Sequence, residues 1–162
     1  MTARRDRNAA EPSAYQRALG LLARREHSRK ELSRKLRSKG VEPDEMDVAL
    51  EKLARQDFQN DERFAAALAR TRAASGYGPM RIRSELATHG LPRDLIDAAL
   101  DACERDWPVS ARELIVRRYA GKDLLDHAIR RKAIDFLLRR GFEQKSAYAA
   151  VCGSRGHENS ED

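Results

Sequence analysis

The chain has 162 residues, of which 36% are charged and 41% hydrophobic, and its formal net charge is +6. This length fits one domain or several small stacked units, and so many charges leave little apolar surface to close a thick globule. No apolar run approaches the ~18 residues that a membrane-spanning helix needs, so we predict no membrane span.

The chain ends and the cysteines indicate where the protein works. The start, MTARRDRNAAEP, carries charge without an apolar stretch, so we predict no signal peptide. Cys103 and Cys152 form no CxxC or other metal-ligand pattern, which favours two free thiols in a reducing cytoplasm. The four histidines are scattered without i, i+4 partners, so we expect no metal and no cofactor.

Apolar residues recur at helical spacing along the chain, and no run alternates as a strand would. Three segments can be superposed: KELSRKLRSKGVEPDEMDVALEKL, MRIRSELATHGLPRDLIDAALDAC and RKAIDFLLRRGFEQKSAYAAVCG. Their shared glycines are Gly40, Gly90 and Gly141, each predicted to end a helix in the left-handed conformation that lacks a Cβ clash in glycine. A period near 50 residues predicts a tandem helical array.

Several short signals predict where helices begin. Ser28 with Glu31, and Ser110 with Glu113, fit the capping box in which two side chains satisfy free amide donors. Prolines are tolerated in the first helical turn, and four stand at predicted starts: Pro43, Pro79, Pro92 and Pro108. Gly20 falls inside the first predicted helix and should cost it ~1 kcal/mol.

These signals predict an all-α fold of about nine helices. We expect three tandem three-helix repeats stacked into an elongated, curved body. The predicted boundaries are a disordered basic tail at 1–12, repeats at 13–56, 57–106 and 107–152, and a disordered tail at 153–162. In the third repeat the middle helix should be longer, from about Asp123 to Arg140.

The stretch HSRKELSRKLRSKG, residues 27–40, raises the question of function because it holds six Lys or Arg against one Glu. Leu32 and Leu36 stand one turn apart and should face inward, which leaves Lys30, Arg34 and Arg37 on an outer face. A solvated surface would explain such a face. Acidic partners at i+4 are nearly missing, however, so the charges repel one another, and an anionic partner is the alternative.

Basic residues also cluster in the second and third predicted repeats. SGYGPMRIR, residues 75–83, is either a flexible loop that presents Tyr77 or a connector whose tyrosine packs on its own repeat; we expect packing. Trp107 should also pack between repeats rather than stack on a base. The candidate partner-binding residues are Arg29, Lys30, Arg34, Lys35, Arg37 and Lys39 in repeat 1, Arg70, Arg72, Arg81 and Arg83 in repeat 2, and Arg117, Arg118, Arg130, Arg131, Lys132, Arg139 and Arg140 in repeat 3.

Sequence motifs of enzymes are missing. AGKD at 120–123 is similar to the end of a phosphate-binding loop, but that loop needs glycine where Val116 stands and Ser or Thr where Asp123 stands. There is no nucleophile elbow, metalloprotease helix or dinucleotide fingerprint. We therefore predict no catalytic residues.

The middle repeat carries a family resemblance. Asp61 and Phe64, then Arg72, then Gly78 to Arg83, then Glu85 with Leu86 and Gly90 stand in FQNDERFAAALARTRAASGYGPMRIRSELATHGLPRDLIDAAL. This pattern resembles the central unit of the RecX family, and the similarity extends more loosely over residues 14–152. The resemblance implies a bacterial cytoplasmic regulator built of three-helix units. It would bind the RecA–DNA filament and restrain strand exchange, ATP hydrolysis and co-protease activity.

Three hypotheses follow. The first is a monomeric interaction protein that lies along a RecA–DNA filament, with basic faces that meet DNA phosphates, acidic patches of the recombinase, or both. The second is a DNA-binding module that needs no recombinase, with nonspecific phosphate contacts to single- or double-stranded DNA. The third is an enzyme with an unrecognised site, which only a concave pocket with convergent titratable groups would support.

Overall fold

The protein is all-α over residues 11–153, the part of the chain that the structure, a computed structural model, describes. Its helices there are α1 (Ala14–Leu22), α2 (Arg29–Arg37), α3 (Pro43–Arg55), α4 (Asp61–Ala74), α5 (Pro79–Thr88), α6 (Arg93–Asp101), α7 (Trp107–Arg118), α8 (His127–Arg139) and α9 (Gln144–Cys152). The predicted helical fold is confirmed. The predicted disordered tails, apart from residues 11, 12 and 153, lie outside the described residues.

Polar side chains define how the helices of the first half begin. The Ser13 hydroxyl accepts a hydrogen bond from the Gln16 N–H, and the Gln16 side chain accepts one from the Ser13 N–H, so a capping box starts α1. Ser28 caps α2 by accepting from the Glu31 N–H, but the Glu31 carboxylate binds elsewhere, so only half of the predicted box forms. Three of the four prolines lie in the first turn of a helix (α3, α5 and α7), and Pro92 is the N-cap of α6.

Two predicted helix starts in the third repeat are wrong. Helix α7 begins at Trp107 because the Asp106 carboxylate accepts the Val109 N–H at 2.9 Å; Ser110 therefore lies inside the helix and donates to the Asp106 carbonyl. Helix α8 begins at His127 rather than near Asp123.

The later start of α8 has a local cause. The Asp126 carboxylate accepts the N–H groups of Ile129 and Ala128, which fixes the first turn at that point. These two backbone hydrogen bonds hold the pKa of Asp126 below its ordinary value. The Asp123 carboxylate accepts the Leu125 N–H instead, so the residues before Asp126 form a turn.

The contacts divide the chain into two compact units, and the division falls within α4, between Phe64 and Ala65. In the first unit α1, α2 and α3 enclose a core of Ala18, Leu32, Leu36, Met46, Leu50 and Leu53. Burying one leucine fully contributes about 1.5–3 kcal/mol relative to leaving it exposed, so these side chains dominate the stability of the unit. The three-repeat boundaries drawn from the sequence stay a prediction.

In the second unit a cluster from α7, α8 and α9 forms one part of the core. Its buried members are Ala111, Ile115, Ala133, Ile134, Leu137, Phe142, Ala147, Ala150 and Val151. Trp107 is half-buried and packs against this cluster. On α5 and α6, Ile82, Leu86 and Ile96 are also buried. No described helix is both long and apolar enough to cross a bilayer.

The three repeated glycines take the predicted left-handed conformation. Their φ angles are 77° at Gly40, 72° at Gly90 and 88° at Gly141. After Gly40 and Gly141, the next residue donates its N–H to the carbonyl of the leucine four positions before the glycine, at 3.2 and 3.1 Å. This bond satisfies a carbonyl at the helix end, which explains why an apolar residue follows each of these glycines.

Candidate polyanion-binding surfaces

Helix α2 separates its apolar and basic residues as predicted. Leu32 and Leu36 are buried, whereas Lys30, Arg34, Arg37 and Lys39 are exposed; we call these four exposed residues the α2 basic face. Within residues 11–153 no ion pair involves Arg34 or Arg37. Arg34 and Arg37 therefore keep positive charge that no carboxylate of the described residues neutralises.

The flanking basic residues of α2 are weakly engaged. Arg29 lies 3.6 Å from the Glu51 carboxylate, and Lys35 lies 3.7 Å from the Glu31 carboxylate. The Arg29–Glu51 pair is exposed, and such pairs contribute about 0–1 kcal/mol, so Arg29 remains available to an external anion. Lys35 is half-exposed, and its partner Glu31 is buried.

The single acidic residue of this basic stretch points into the protein. The Glu31 side chain is 6% exposed and accepts two hydrogen bonds from the Arg25 guanidinium, at 2.5 and 3.2 Å. Burial opposes ionisation, but the hydrogen bonds from Arg25 and the nearby positive charge leave the pKa of Glu31 below its ordinary value. The carboxylate is thus an internal anion and does not neutralise the outer face.

His27 lies beside this buried carboxylate. Its Nδ1 is 3.1 Å from a Glu31 carboxylate oxygen, without the alignment of a hydrogen bond. Burial lowers the pKa of His27 more than the attraction of Glu31 raises it, and Arg25 lowers it further. The lowered pKa keeps the imidazole mostly neutral at pH 7, beside the buried Glu31 carboxylate.

The start of α4 fixes the start of α2. The Asp61 carboxylate accepts the Arg29 N–H and the Gln59 side-chain amide, both at 2.9 Å. Arg63 donates to Glu26 at 2.9 Å, and this hydrogen bond raises the pKa of the guanidinium. Asp61 belongs to the RecX-like pattern, but its action on α2 was not predicted, because the two residues stand 32 positions apart.

Two of the four basic candidates of the middle repeat are occupied by carboxylates. Arg72 donates two hydrogen bonds to Glu85, both at 2.8 Å, and Arg83 pairs with Asp97. The hydrogen bonds from Arg72 lower the pKa of Glu85 and raise that of Arg72. These pairs fasten α5 to α4 and α6, whereas Arg70 and Arg81 are exposed.

Arginine and aromatic side chains alternate on the second unit. Arg81 and Arg140 lie 5.0 and 4.8 Å from the centre of the Tyr77 ring, and Arg140 and Arg118 lie 5.3 and 5.8 Å from that of Phe136. We call the row Arg81, Tyr77, Arg140, Phe136 and Arg118 the arginine–aromatic ladder. Tyr77 packs as expected, but it contacts Arg140 of the next predicted repeat as well as Arg81 of its own.

Backbone contacts hold the middle of the ladder. The N–H groups of Gly78 and Met80 donate to the carbonyls of Arg140 and Gly141, at 2.8 and 2.9 Å. A Cβ on Gly78 would lie 2.4 Å from the Gly141 backbone, and one on Gly141 would lie 2.4 Å from Arg81 Cβ. Only glycine permits this approach, so the loop before α5 and the turn before α9 are fixed against each other.

The other basic candidates of the third repeat fall into two groups. Arg117, Arg131, Lys132 and Arg139 are exposed. Arg130 is half-buried and donates to the carbonyls of Leu124 and Leu125 at 3.3 and 3.4 Å, which stabilises the turn before α8. Hence Arg130 is engaged within the protein, as Arg72 and Arg83 are.

The described residues contain no group of three His, Cys, Asp or Glu side chains placed to hold a metal ion. Cys103 and Cys152 are free thiols, and burial raises the pKa of Cys103. A raised pKa keeps that thiol protonated and unreactive at neutral pH.

Known proteins share this sequence. A family model described as RecX, second three-helix domain, matches residues 60–100, and one described as RecX, first three-helix domain, matches residues 14–53. The regulatory protein RecX of Xanthomonas citri is 54% identical over 148 residues, which cover 91% of this chain and 91% of that protein. The regulatory protein RecX of Stenotrophomonas maltophilia is 51% identical over 147 residues, covering 91% and 90%.

Solved structures share the fold. A crystal structure of a regulatory protein RecX superposes with a TM-score of 0.69 and 25% identity, covering 87% of this chain and 70% of that one. The crystal structure of RecX from Lactobacillus salivarius gives 0.67 and 26%, covering 86% and 93%. With 54% identity to a curated relative across nearly its whole length, this chain belongs to the RecX family of regulatory proteins.

Proposed function

We propose that this protein regulates the RecA recombinase by binding the RecA–DNA filament and restraining its ATP hydrolysis, strand exchange and co-protease activity. The observation that carries the proposal is membership in the RecX family across nearly the whole chain. In this role the protein is a cytoplasmic monomer without catalytic residues of its own. It would act by binding to the RecA–DNA filament.

Binding would act by holding neighbouring recombinase protomers together. A protein that contacts two protomers at once restricts the relative motion that ATP turnover and strand exchange require. The exposed Arg34 and Arg37 of the α2 basic face support this role, because exposed positive charge steers a protein towards an anionic partner and raises the association rate. The DNA in the filament and acidic patches of the recombinase are both suitable anions.

The direct test is DNA-dependent ATP hydrolysis by RecA with increasing amounts of this protein. We expect hydrolysis and strand exchange to fall in parallel as the filament is occupied. Co-sedimentation with RecA, with and without DNA, measures whether the assembled filament is the preferred partner. Unchanged hydrolysis and strand exchange at saturating protein would refute the proposal.

A second candidate function is sequence-independent DNA binding without a recombinase. It is favoured by the exposure of Arg34 and Arg37 without carboxylate partners. Such binding falls steeply with salt, because each phosphate contact releases a counterion. Fluorescence anisotropy over a salt series distinguishes the two functions: tight binding to naked DNA at physiological salt, with no preference for filament, supports the second.

The structure narrows the set of residues that we propose as contacts. Arg72, Arg83 and Arg130 are engaged with groups of the protein itself. The remaining exposed or half-exposed candidates form the proposed interface. In the first unit these are the α2 basic face with Arg29 and Lys35, and in the second unit Arg70, Arg81, Arg117, Arg118, Arg131, Lys132, Arg139 and Arg140.

A further inference from the structure

We propose that the arginine–aromatic ladder binds the phosphodiester backbone of a nucleic acid strand without reading its sequence. This inference rests on the proposed function and names a ligand for one surface of the second unit. The residues that would touch phosphates are Arg81, Arg118 and Arg140. Tyr77 and Phe136 would be positioning residues that hold the guanidinium groups in place.

The arginines of the ladder form no ion pair within the described residues, and only Arg81 attracts a carboxylate from farther away, that of Glu85. Within residues 11–153 no carboxylate lies within 4.0 Å of the guanidinium groups of Arg81, Arg118 or Arg140. Their neighbours Arg72 and Arg83, by contrast, both pair with carboxylates. The same surface thus contains arginines that fasten helices together and arginines whose charge is left for another molecule.

Stacking on a ring fixes a guanidinium without using up its donors. A carboxylate partner would occupy the N–H groups in the guanidinium plane, whereas an aromatic ring contacts the face of the cation. Arg140 donates one N–H group to the Ser75 carbonyl, at 3.1 Å, and within residues 11–153 the side chains of Arg81 and Arg118 donate no hydrogen bond. Pre-positioned donors lose less side-chain entropy when an anion binds.

A purely structural role does not explain the composition of the row. Each exposed cation–π contact contributes only ~0.5–1 kcal/mol, and the like charges of a row repel one another. Uncharged side chains would bridge the same rings without that repulsion. A bound anion offsets the repulsion, and this gives the three arginines a reason to lie together.

The row suits a polymer of regular charge better than a folded acidic surface. Successive distances between guanidinium group and ring centre are 4.8–5.8 Å, so two rings link three positive charges in succession. Arginines interleaved with aromatic rings are typical of sequence-tolerant binding to nucleic acid strands. At one end of the ladder, Tyr77 and Arg81 border a groove along α5 that is also lined by Ser84, Thr88 and the Arg72–Glu85 ion pair, and this groove leaves room for the strand.

The test measures binding of the full-length protein to a fluorescent single-stranded oligonucleotide over a salt series. The double variant Arg81→Gln with Arg118→Gln should weaken binding about tenfold and reduce the salt slope by about 1.4, since each single-strand phosphate contact contributes about 0.7. The matched control is Arg105→Gln with Arg112→Gln, two exposed arginines of the same unit outside the ladder. It should leave the slope unchanged.

A second pair of variants tests positioning at constant charge. Tyr77→Leu removes the ring and should weaken oligonucleotide binding several-fold, whereas Tyr77→Phe keeps the ring and should bind as the wild type does. Circular dichroism melting checks that both are folded; if Tyr77→Leu is not, the double arginine variant decides. Equal losses in the ladder and control doubles, or no loss in either, would overturn the inference.

The outcomes separate this inference from the proposed function. If the wild-type protein leaves RecA ATP hydrolysis unchanged, the proposed function fails whatever the oligonucleotide measurement gives. If the wild type inhibits RecA but the ladder variant binds oligonucleotide normally, only the inference fails. Competition by polyglutamate as strong as that by unlabelled oligonucleotide would assign the ladder to an acidic protein surface, and would also overturn it.

Discussion

The turns at Gly40 and Gly141 have the same local structure but different surroundings. Both glycines have a left-handed φ, and both are followed by an N–H that bonds to the carbonyl of a leucine. Around Gly40 no atom would lie within 4 Å of an added Cβ, whereas around Gly141 the backbone of Arg81 would. A repeated motif thus ends a helix in the first unit and also joins two segments in the second.

The basic surfaces of the two units also differ in their surroundings: one is open to solvent, and the other is packed against neighbouring segments. On the α2 basic face, Arg34 and Arg37 project into solvent from a helix whose only acidic residue is buried. In the ladder, Tyr77 and Phe136 hold the arginines, and the Gly78–Gly141 contact fixes the loop that carries the tyrosine. We therefore propose steering by exposed charge in the first unit and binding by positioned charge in the second.

The largest expected effect comes from adding a methyl group to each of the two turns. Gly40→Ala should destabilise the protein by about 1–2 kcal/mol, because only the left-handed backbone opposes it. Gly141→Ala adds a clash with the Arg81 backbone and should cost about 3–5 kcal/mol. Urea unfolding measures both, and equal losses would contradict the distinction between the turns.

Charge reversal on α2 tests the first surface. Arg34→Glu with Arg37→Glu should weaken filament binding about tenfold, because two repulsive charges replace two attractive ones. Stability should change by no more than about 0.5 kcal/mol, since both side chains are exposed. Co-sedimentation with RecA filaments measures the binding.

The control for this charge reversal is Arg24→Glu with Arg55→Glu, two exposed arginines of the first unit that lie outside α2. It changes the net charge by the same amount and should bind more tightly than the α2 variant. Equal binding by the α2 variant and the wild type would assign the face to solubility.

The buried pair of the first unit predicts a pH dependence. The folded pKa of His27 lies below its ordinary value of 6.5, so below that pH the unfolded chain takes up a proton that the folded chain refuses. Stability from this residue is therefore present above pH 6.5 and is lost as the pH falls towards the folded pKa. Urea unfolding at pH 7.5 and 5.5 measures the loss.

Substituting single histidines tests whether His27 is the source of this pH dependence. His27→Gln should flatten the dependence of stability on pH between 7.5 and 5.5, whereas His127→Gln, at an exposed position of the second unit, should not. Glu31 and Glu85 also have lowered pKa values, but carboxylates with lowered values lose stability only at more acidic pH, outside this range. An unchanged slope in His27→Gln would exclude the buried imidazole as its source.

The smallest expected effect is a gain of stability at Gly20. This glycine lies within α1 and is exposed, and no atom would lie within 4 Å of an added Cβ. Gly20→Ala should raise the free energy of unfolding by about 0.5–1 kcal/mol, because alanine loses less backbone entropy in a helix. Thermal melting measures this gain, with Gly40→Ala as the variant that should instead lose stability. A lower melting temperature for Gly20→Ala would contradict the prediction.

Local patterns were sufficient for the helices and for most of their ends. The apolar spacing predicted the buried faces of α2 and α3, and the repeated glycines predicted three left-handed turns, because both depend on residues within a few positions of one another. The starts of α7 and α8 were predicted wrongly because each has two short polar side chains that could cap it, Ser110 or Asp106 for α7 and Asp123 or Asp126 for α8. A short polar side chain alone does not reveal which amide it binds. In the structure, the Asp106 carboxylate caps α7 and the Asp126 carboxylate caps α8.

The sequence by itself determined the helical architecture and the RecX relationship, and it supplied the basic residues that we propose as anion contacts. Only the tertiary structure decided how those residues are used: Arg72 meets Glu85, Arg83 meets Asp97, and Arg140 meets Tyr77. The physical reason is distance along the chain. Arg140 and Tyr77 are more than 60 residues apart in the sequence. The periodicity of apolar residues does not predict which carboxylate or aromatic ring will contact a given guanidinium group after folding.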